Sequence, residues 1–158
     1  MPAPSTDPAR HPLMLVFVDT NVWYPVVLAD LVLRSVEIGL FDLAAYQHLI
    51  AAMTGPDPDD HVHAAAARGG SADVLLTGNV ADFPATDVGR TCRVMRPGQL
   101  FGELAVTYPI ELGRVIAEMA AHRHRPPMVP DDILDRLDAL GLHPMVDALR
   151  QRSDDNRG

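Results

Sequence analysis

Apolar residues along this chain fall into two kinds of pattern. Leu13-Met14-Leu15-Val16-Phe17-Val18 is an unbroken run of strand length. A run without polar alternation predicts a strand covered on both faces, as in a parallel sheet. It stops at Asp19-Thr20-Asn21, a turn-forming triplet. After Pro25, residues Leu28, Leu31, Val32 and Ser35 recur at helical spacing, predicting a helix over Val26–Leu40 with Gly39 at or just beyond its end. A short helix is expected over Ala44–Met53, with Ala45, Leu49, Ala52 and Met53 on one face. Gly55-Pro56-Asp57-Pro58 then breaks the chain. Asp59 or Asp60 is placed to cap an alanine-rich helix that runs through Ala67 to Gly69-Gly70.

Asp73–Thr77 predicts a second buried strand, Asn79–Pro84 a loop, and Arg93-Val94-Met95 a third strand. The rest reads as helical. One or two turns are expected over Gly98–Val106, and a helix over Ile110–His122 with Leu112, Val115, Ile116 and Met119 inward. Pro130-Asp131-Asp132 starts another, with acids in its first turn, and Gly141 stops it. His143–Arg150 completes the set. Residues 1–12 and 153–158 read as tails. Strand, helices, strand, strand and further helices make an α/β pattern with a short parallel sheet, and in such sheets chemistry collects beyond the carboxyl ends of the strands.

Composition narrows the function classes. At 158 residues the chain suits one domain. The net charge is −8, which argues against a broad basic surface wrapped by nucleic acid but leaves room for acids gathered around a cation. All 13 basic side chains are arginine, so lysine Schiff-base and P-loop chemistry are excluded. A single cysteine, Cys92, excludes an internal disulfide framework and a cysteine-rich zinc site. No apolar run reaches membrane-spanning length, and the first residues lack a cationic segment followed by an apolar one, so a cytoplasmic protein is expected.

Three acids fall where chemistry is expected. Asp19 follows the first strand, Asp82 comes shortly after the second, and Asp59 opens the helix feeding that second strand. Gathered carboxylates repel one another unless a cation neutralises them, and Mg2+ or Mn2+ suits oxygen ligands. Each acid also has a plain structural reading: an Asx turn at Asp19, an N-cap at Asp59, a solvated loop at Asp82.

The stretches VFVDTNVWYP, LADLVLRSVEIGLFDL and PDPDDHVHAAAARGGSADVLLTGNVADFP together resemble the PIN-domain family, nearest to the VapC-like ribonuclease toxins of prokaryotic toxin–antitoxin pairs. The resemblance runs from about Val16 to Leu149 and implies a three-layer α/β core over 13–97 with a helical extension of the same domain over 98–152. It implies Mg2+- or Mn2+-dependent hydrolysis of RNA phosphodiesters, a cognate antitoxin protein and a homodimer. On the matching positions it makes Asp19, Asp59 and Asp82 metal ligands, with Asp60 replacing Asp59 if the register slips by one. Asn79 would orient water or a ligand, and Thr20, Asn21 and Thr77 would support the carboxylates.

One part of the family pattern is missing. PIN domains carry a glutamate between the first helix and the Asp59 segment, whereas here no acid stands between Asp42 and Asp57. Among the four glutamates, Glu37 sits roughly 10 Å from the strand edge along the first helix and substitutes poorly. Asp30 is nearer and is read either as support for the site or as a helix-start carboxylate favoured by the dipole. A three-acid site follows, and with it a second reading: a degenerate PIN-fold binding module without catalysis. A phosphatase of the haloacid dehalogenase type is disfavoured, because Asn21 stands where its second aspartate is needed and lysine is absent. His61 and His63, two apart on a helix, point to different sides and cannot chelate one ion as a pair; His63, one turn from Asp59, is read either as touching that acid or, more commonly, as a packing or surface residue. His122–Arg125 reads first as a basic, capped helix end, with an RNA phosphate or partner contact as the alternative. Trp23-Tyr24 offers either base stacking or packing. The short stretch between the first helix and Asp57 would also uncover apolar surface, which favours self-association.

Overall fold

The computed structural model describes residues 14–19, 22, 26–43, 53–123 and 125–155. Four strands, β1 (Met14–Val18), β2 (Phe41–Leu43), β3 (Val74–Leu76) and β4 (Arg93–Met95), form one sheet in the order β2-β1-β3-β4. Every pairing is parallel, with Val16 opposite Leu43 on one side and Val74 on the other, and Leu76 opposite Met95. The α-helices are α1 (Val26–Glu37), α2 (His61–Gly69), α3 (Ala85–Val88), α4 (Pro97–Thr107), α5 (Pro109–Ala121), α6 (Pro130–Ala139) and α7 (His143–Asp155). Short 3-10 turns cover Pro58–Asp60 and Val80–Asp82.

Strand alternation divides the apolar side chains between two cores, which makes the three-layer α/β architecture explicit. Val16, Val18, Val74, Leu76 and Met95 face a large core shared with α1 and α4–α7. Phe17, Leu75 and Val94 face a smaller one, closed by α2, by Phe83 and Val88, and by Met53 and Cys92. Four consecutive alanines of α2, Ala64–Ala67, are buried, and their small side chains let this helix lie close on the sheet. The C-terminal helices belong to the large core: Phe101, Leu112, Met119, Leu137 and Met145 are fully buried in the same cluster as Val16 and Val74. Between α4 and α7 the approach is close. A Cβ at Gly98 would stand 2.3 Å from the Gly141 carbonyl oxygen, and one at Gly102 2.8 Å from Pro144 Cβ.

The structure departs from the sequence reading in several places: α1 stops at Glu37, short of the expected Leu40, and α3 was not anticipated. β2 was not anticipated; three residues are too few to show a period. Helix α4 is three turns rather than one or two, started by Pro97 and held by the Gln99 side chain accepting from the Arg96 amide at 2.9 Å. Helix α7 continues through Ser153 to Asp155, where a tail was expected; Ser153 is still tied by its hydroxyl to the Leu149 carbonyl. Asp60 takes the expected N-cap position of α2 but makes no side-chain cap bond; the capping carboxylate is that of Asp57, which starts the preceding 3-10 turn by accepting the Asp59 amide at 3.0 Å. The expected helix over 44–53 lies outside the described residues except Met53, as do Thr20, Asn21, Trp23, Tyr24 and the first 12 residues. Among the described residues no helix is long and apolar enough to cross a membrane.

Candidate metal centre

The carboxyl ends of β1 and β3 lie side by side, and the residues that leave them build the site. Asp19 extends the β1 ladder by donating its amide to Leu76 at 2.9 Å, which turns its side chain into the interior at 1% exposure. A buried carboxylate needs hydrogen bonds to remain there. One comes from Thr77, whose hydroxyl donates to Asp19 Oδ2 at 2.8 Å. Thr77 is itself buried and fixed to the next strand by its amide, 2.9 Å from the Met95 carbonyl. Its Oγ1 also accepts the Asn79 amide at 3.0 Å, and the Asn79 side-chain amide donates to Asp82. A single polar chain therefore links the carboxylates of Asp19 and Asp82 through Thr77 and Asn79, residues expected at this edge.

Two interlocking groups of ligand atoms result. Asp19, Asp60 and His63 form one, and Asp57, Asp60 and Asp82 the other; within each, the ligand atoms lie within 4.8 Å of one another. Asp60 is common to both. Asp59 belongs to neither: it is exposed, while its neighbour turns inward. The 3-10 turn at Pro58–Asp60 sets this register, and Asp60 occupies the position foreseen for a one-residue slip. Asp57 was not among the expected ligands, although the sequence put it one turn before Asp60.

The electrostatics carry the mark of gathered like charges. Burial raises the Asp60 carboxyl above its ordinary range, and Asp19, Asp57 and Asp82 raise it further, against a smaller opposing effect of His63. Such a group holds its proton more readily than a free aspartate unless a positive charge joins the cluster. A divalent cation fits this donor set on a second count. His63 Nδ1 is buried with no hydrogen-bond partner, 2.5 Å from Asp19 Oδ1 and 3.8 Å from Asp60 Oδ1. An imidazole nitrogen placed in this way among carboxylate oxygens is a donor that a divalent cation would use.

A second carboxylate network holds the acidic segment in place. Asp87 on α3 is 2% exposed and accepts from the Thr54 amide at 2.6 Å, the Thr54 hydroxyl at 2.7 Å and the Gly55 amide at 2.8 Å. Gly55 then passes so close to Asp82 that a Cβ would lie 2.4 Å from its backbone oxygen, and its carbonyl lies 2.8 Å from His61 Nε2. Asp87 thus pins the strap that enters Asp57–Asp60. It was not foreseen; Pro84-Ala85-Thr86-Asp87 carries no spacing signal for partners more than 30 residues earlier in the chain.

Other candidates resolve into structure. Asp30 bonds Arg34 at 2.8 Å and lies 3.7 Å from Arg123, tying α1 to the end of α5, so it does not support the acidic site. His122 Nδ1 meets the Glu118 carbonyl at 2.8 Å, a helix-end cap. Arg93 forks onto Glu103. Burial pushes the Cys92 thiol up to about 11, as befits an inert core residue. Glu37 ends α1, away from the edge where that helix begins, and no glutamate among the described residues joins either group.

Residues 103–151 match the family model of the VapC50 C-terminal domain. No curated protein and no solved structure matches the chain. The helices from within α4 to within α7 are therefore similar to a VapC-type domain, which points to a relation with the VapC toxins, and the matched stretch contains none of the clustered acids.

Proposed function

We propose that this protein is a metal-dependent endoribonuclease of the toxin–antitoxin kind, with Asp19, Asp60 and Asp82 holding Mg2+ or Mn2+ and Asp57 close by. The observation that carries the reading is the meeting of Asp19, Asp57, Asp60 and Asp82 with His63 in two ligand groups that share Asp60. The similarity of residues 103–151 to a VapC-type domain supports the same direction. A bound divalent cation polarises a phosphodiester and activates water. The chain's own part is to orient. Thr77 fixes the carboxylate plane of Asp19, Asn79 fixes Asp82, and the pinned strap presents Asp57 and Asp60. With a net charge of −8, contact with RNA is local to the cation and a few arginines rather than spread over a basic face. A cognate antitoxin partner and a homodimer belong to this reading. Val106, Ile110 and Val129 stand exposed on and beside the C-terminal helices and offer apolar area for association, which light scattering at micromolar concentration tests.

The absence of any glutamate from the described cluster favours a second reading, a PIN-like binding module that has lost catalysis. Purified protein with Mn2+ and single-stranded RNA separates the two. Cleavage abolished by Asp19→Asn and by Asp60→Asn, but retained in Asp59→Asn, supports the enzyme and the assignment of Asp60. Equal cleavage by wild type and Asp19→Asn marks the activity as contamination and ends the enzymatic reading. Mn2+ binding without cleavage supports the module.

A further inference from the structure

The glutamate that the family resemblance leads one to expect is missing, and a histidine stands among the acids. Asp60 and His63 are three residues apart at the start of α2, which puts both on one helical face. A carboxylate and an imidazole at this spacing supply two ligands to one centre in helical metal proteins. The neighbouring histidine behaves differently. His61 Nε2 is partnered by the Gly55 carbonyl at 2.8 Å, on another side of the helix. His63 points instead at the end of β1. Its ring is held by a tilted contact with Phe17, centroids 5.9 Å apart, so Nδ1 is presented to Asp19 rather than to solvent. Nδ1 is buried and lies 2.5 Å from a carboxylate oxygen, yet the two do not align as a hydrogen bond. A cation bound by the carboxylates would give this nitrogen a partner.

Resting on the metal-dependent reading above, we propose that His63 Nδ1 is a nitrogen ligand of the cation held by Asp19 and Asp60, so that the centre is a mixed nitrogen–oxygen site that selects Mn2+, Co2+ or Zn2+ over Mg2+. Magnesium takes oxygen ligands and sheds water reluctantly, whereas imidazole suits first-row transition ions. Ligation at Nδ1 puts the ring proton on Nε2. The imidazole restores to the site a donor lost with the glutamate, at a different place in the sequence and with a different metal preference.

Pulsed electron paramagnetic resonance of the full chain with Mn2+ reads the donor directly. A nitrogen-14 coupling is expected in the wild type and its loss in His63→Leu and His63→Gln, with Mn2+ affinity by calorimetry weaker by roughly tenfold or more. In the wild type, Mn2+ is expected to bind tighter than Mg2+ by a similar factor. Thermal unfolding without metal reports whether each variant is folded, and the wild-type spectrum decides the question even if neither is. Mn2+ bound with no nitrogen coupling, or a coupling that survives both substitutions, overturns the ligand assignment and leaves the metal-dependent reading standing. No Mn2+ binding by the wild type overturns both.

Discussion

Replacing Asp87 by asparagine tests whether the acidic segment is held by one buried carboxylate. The carboxylate accepts three hydrogen bonds, from the Thr54 amide, the Thr54 hydroxyl and the Gly55 amide, at 2.6–2.8 Å. Asparagine keeps one acceptor oxygen and turns an NH2 group toward the remaining donors. Hydrogen bonds to a charged group contribute about 1.5–3 kcal/mol each, and Thr54 is exposed, so losing two of them at the lower end costs about 3 kcal/mol. For a protein of this size that lowers Tm by roughly 6–12 °C. Burial alone would push the Asp87 carboxyl up, but the bonds from Thr54, Gly55 and Thr86 outweigh it and hold it below its ordinary value of 3.8. As pH falls, the unfolded chain therefore takes up this proton before the folded protein does. The stabilisation is complete above pH 3.8 and disappears as pH falls through the lowered folded value. Scanning calorimetry of wild type and Asp87→Asn from pH 7 downward should show a constant Tm gap that closes in acid. Mn2+ affinity should weaken along with stability, because the strap ends in Asp57 and Asp60. A gap under about 2 °C at pH 7, or one that persists unchanged into strong acid, would refute the reasoning.

Other consequences can be checked with single measurements. Gly55→Ala puts a Cβ 2.4 Å from the Asp82 backbone oxygen; overpacking of this kind costs about 1–3 kcal/mol, and calorimetry should find weaker Mn2+ binding together with a lower Tm. Phe101→Ala empties a fully buried position in the large core and is expected to cost about 3–5 kcal/mol by urea unfolding, although Phe101 lies outside the sheet. Ending the chain before Pro97 removes the helices that share a core with Val16, Val74 and Leu76; such a fragment should bind hydrophobic dye and lose its near-ultraviolet circular dichroism. The Cys92 thiol, pushed up to about 11 by burial, should react with a disulfide reagent at pH 8 only as fast as the protein unfolds.

What the sequence could reveal depended on how local the signal was. The buried strands β1 and β3 announced themselves because both faces are covered and the apolar run is continuous. β2 did not, since three residues at a sheet edge set no period. Helices α5 and α6 were legible from inward positions three and four apart, and the proline and acids that start α6 marked its N-terminus. The extra length of α4 and α7 was hidden, because it rests on single bonds near their ends, Arg96 to Gln99 and Ser153 to Leu149, rather than on a periodic signal. Asp19 and Asp82 could be placed at the working edge from the strands that precede them. Choosing between Asp59 and Asp60 could not be done in the same way, since it turns on whether the chain enters α2 directly or through a 3-10 turn.

The histidines set out the same problem. Helical geometry shows that His61 and His63 diverge, which correctly excludes them as a pair. It leaves open which of the two faces the acids, because that depends on how α2 is rotated about its axis against the sheet. The rotation is fixed by Ala64, Ala65 and Ala67, which must lie against Leu75 and Phe17, and by the Gly55 carbonyl that engages His61. Once the alanines are seated, the residue one turn after Asp60 has only the end of β1 to meet. The approach of His63 to Asp19 is therefore a consequence of core packing on the far side of the same helix, and no motif confined to the acidic residues would have disclosed it.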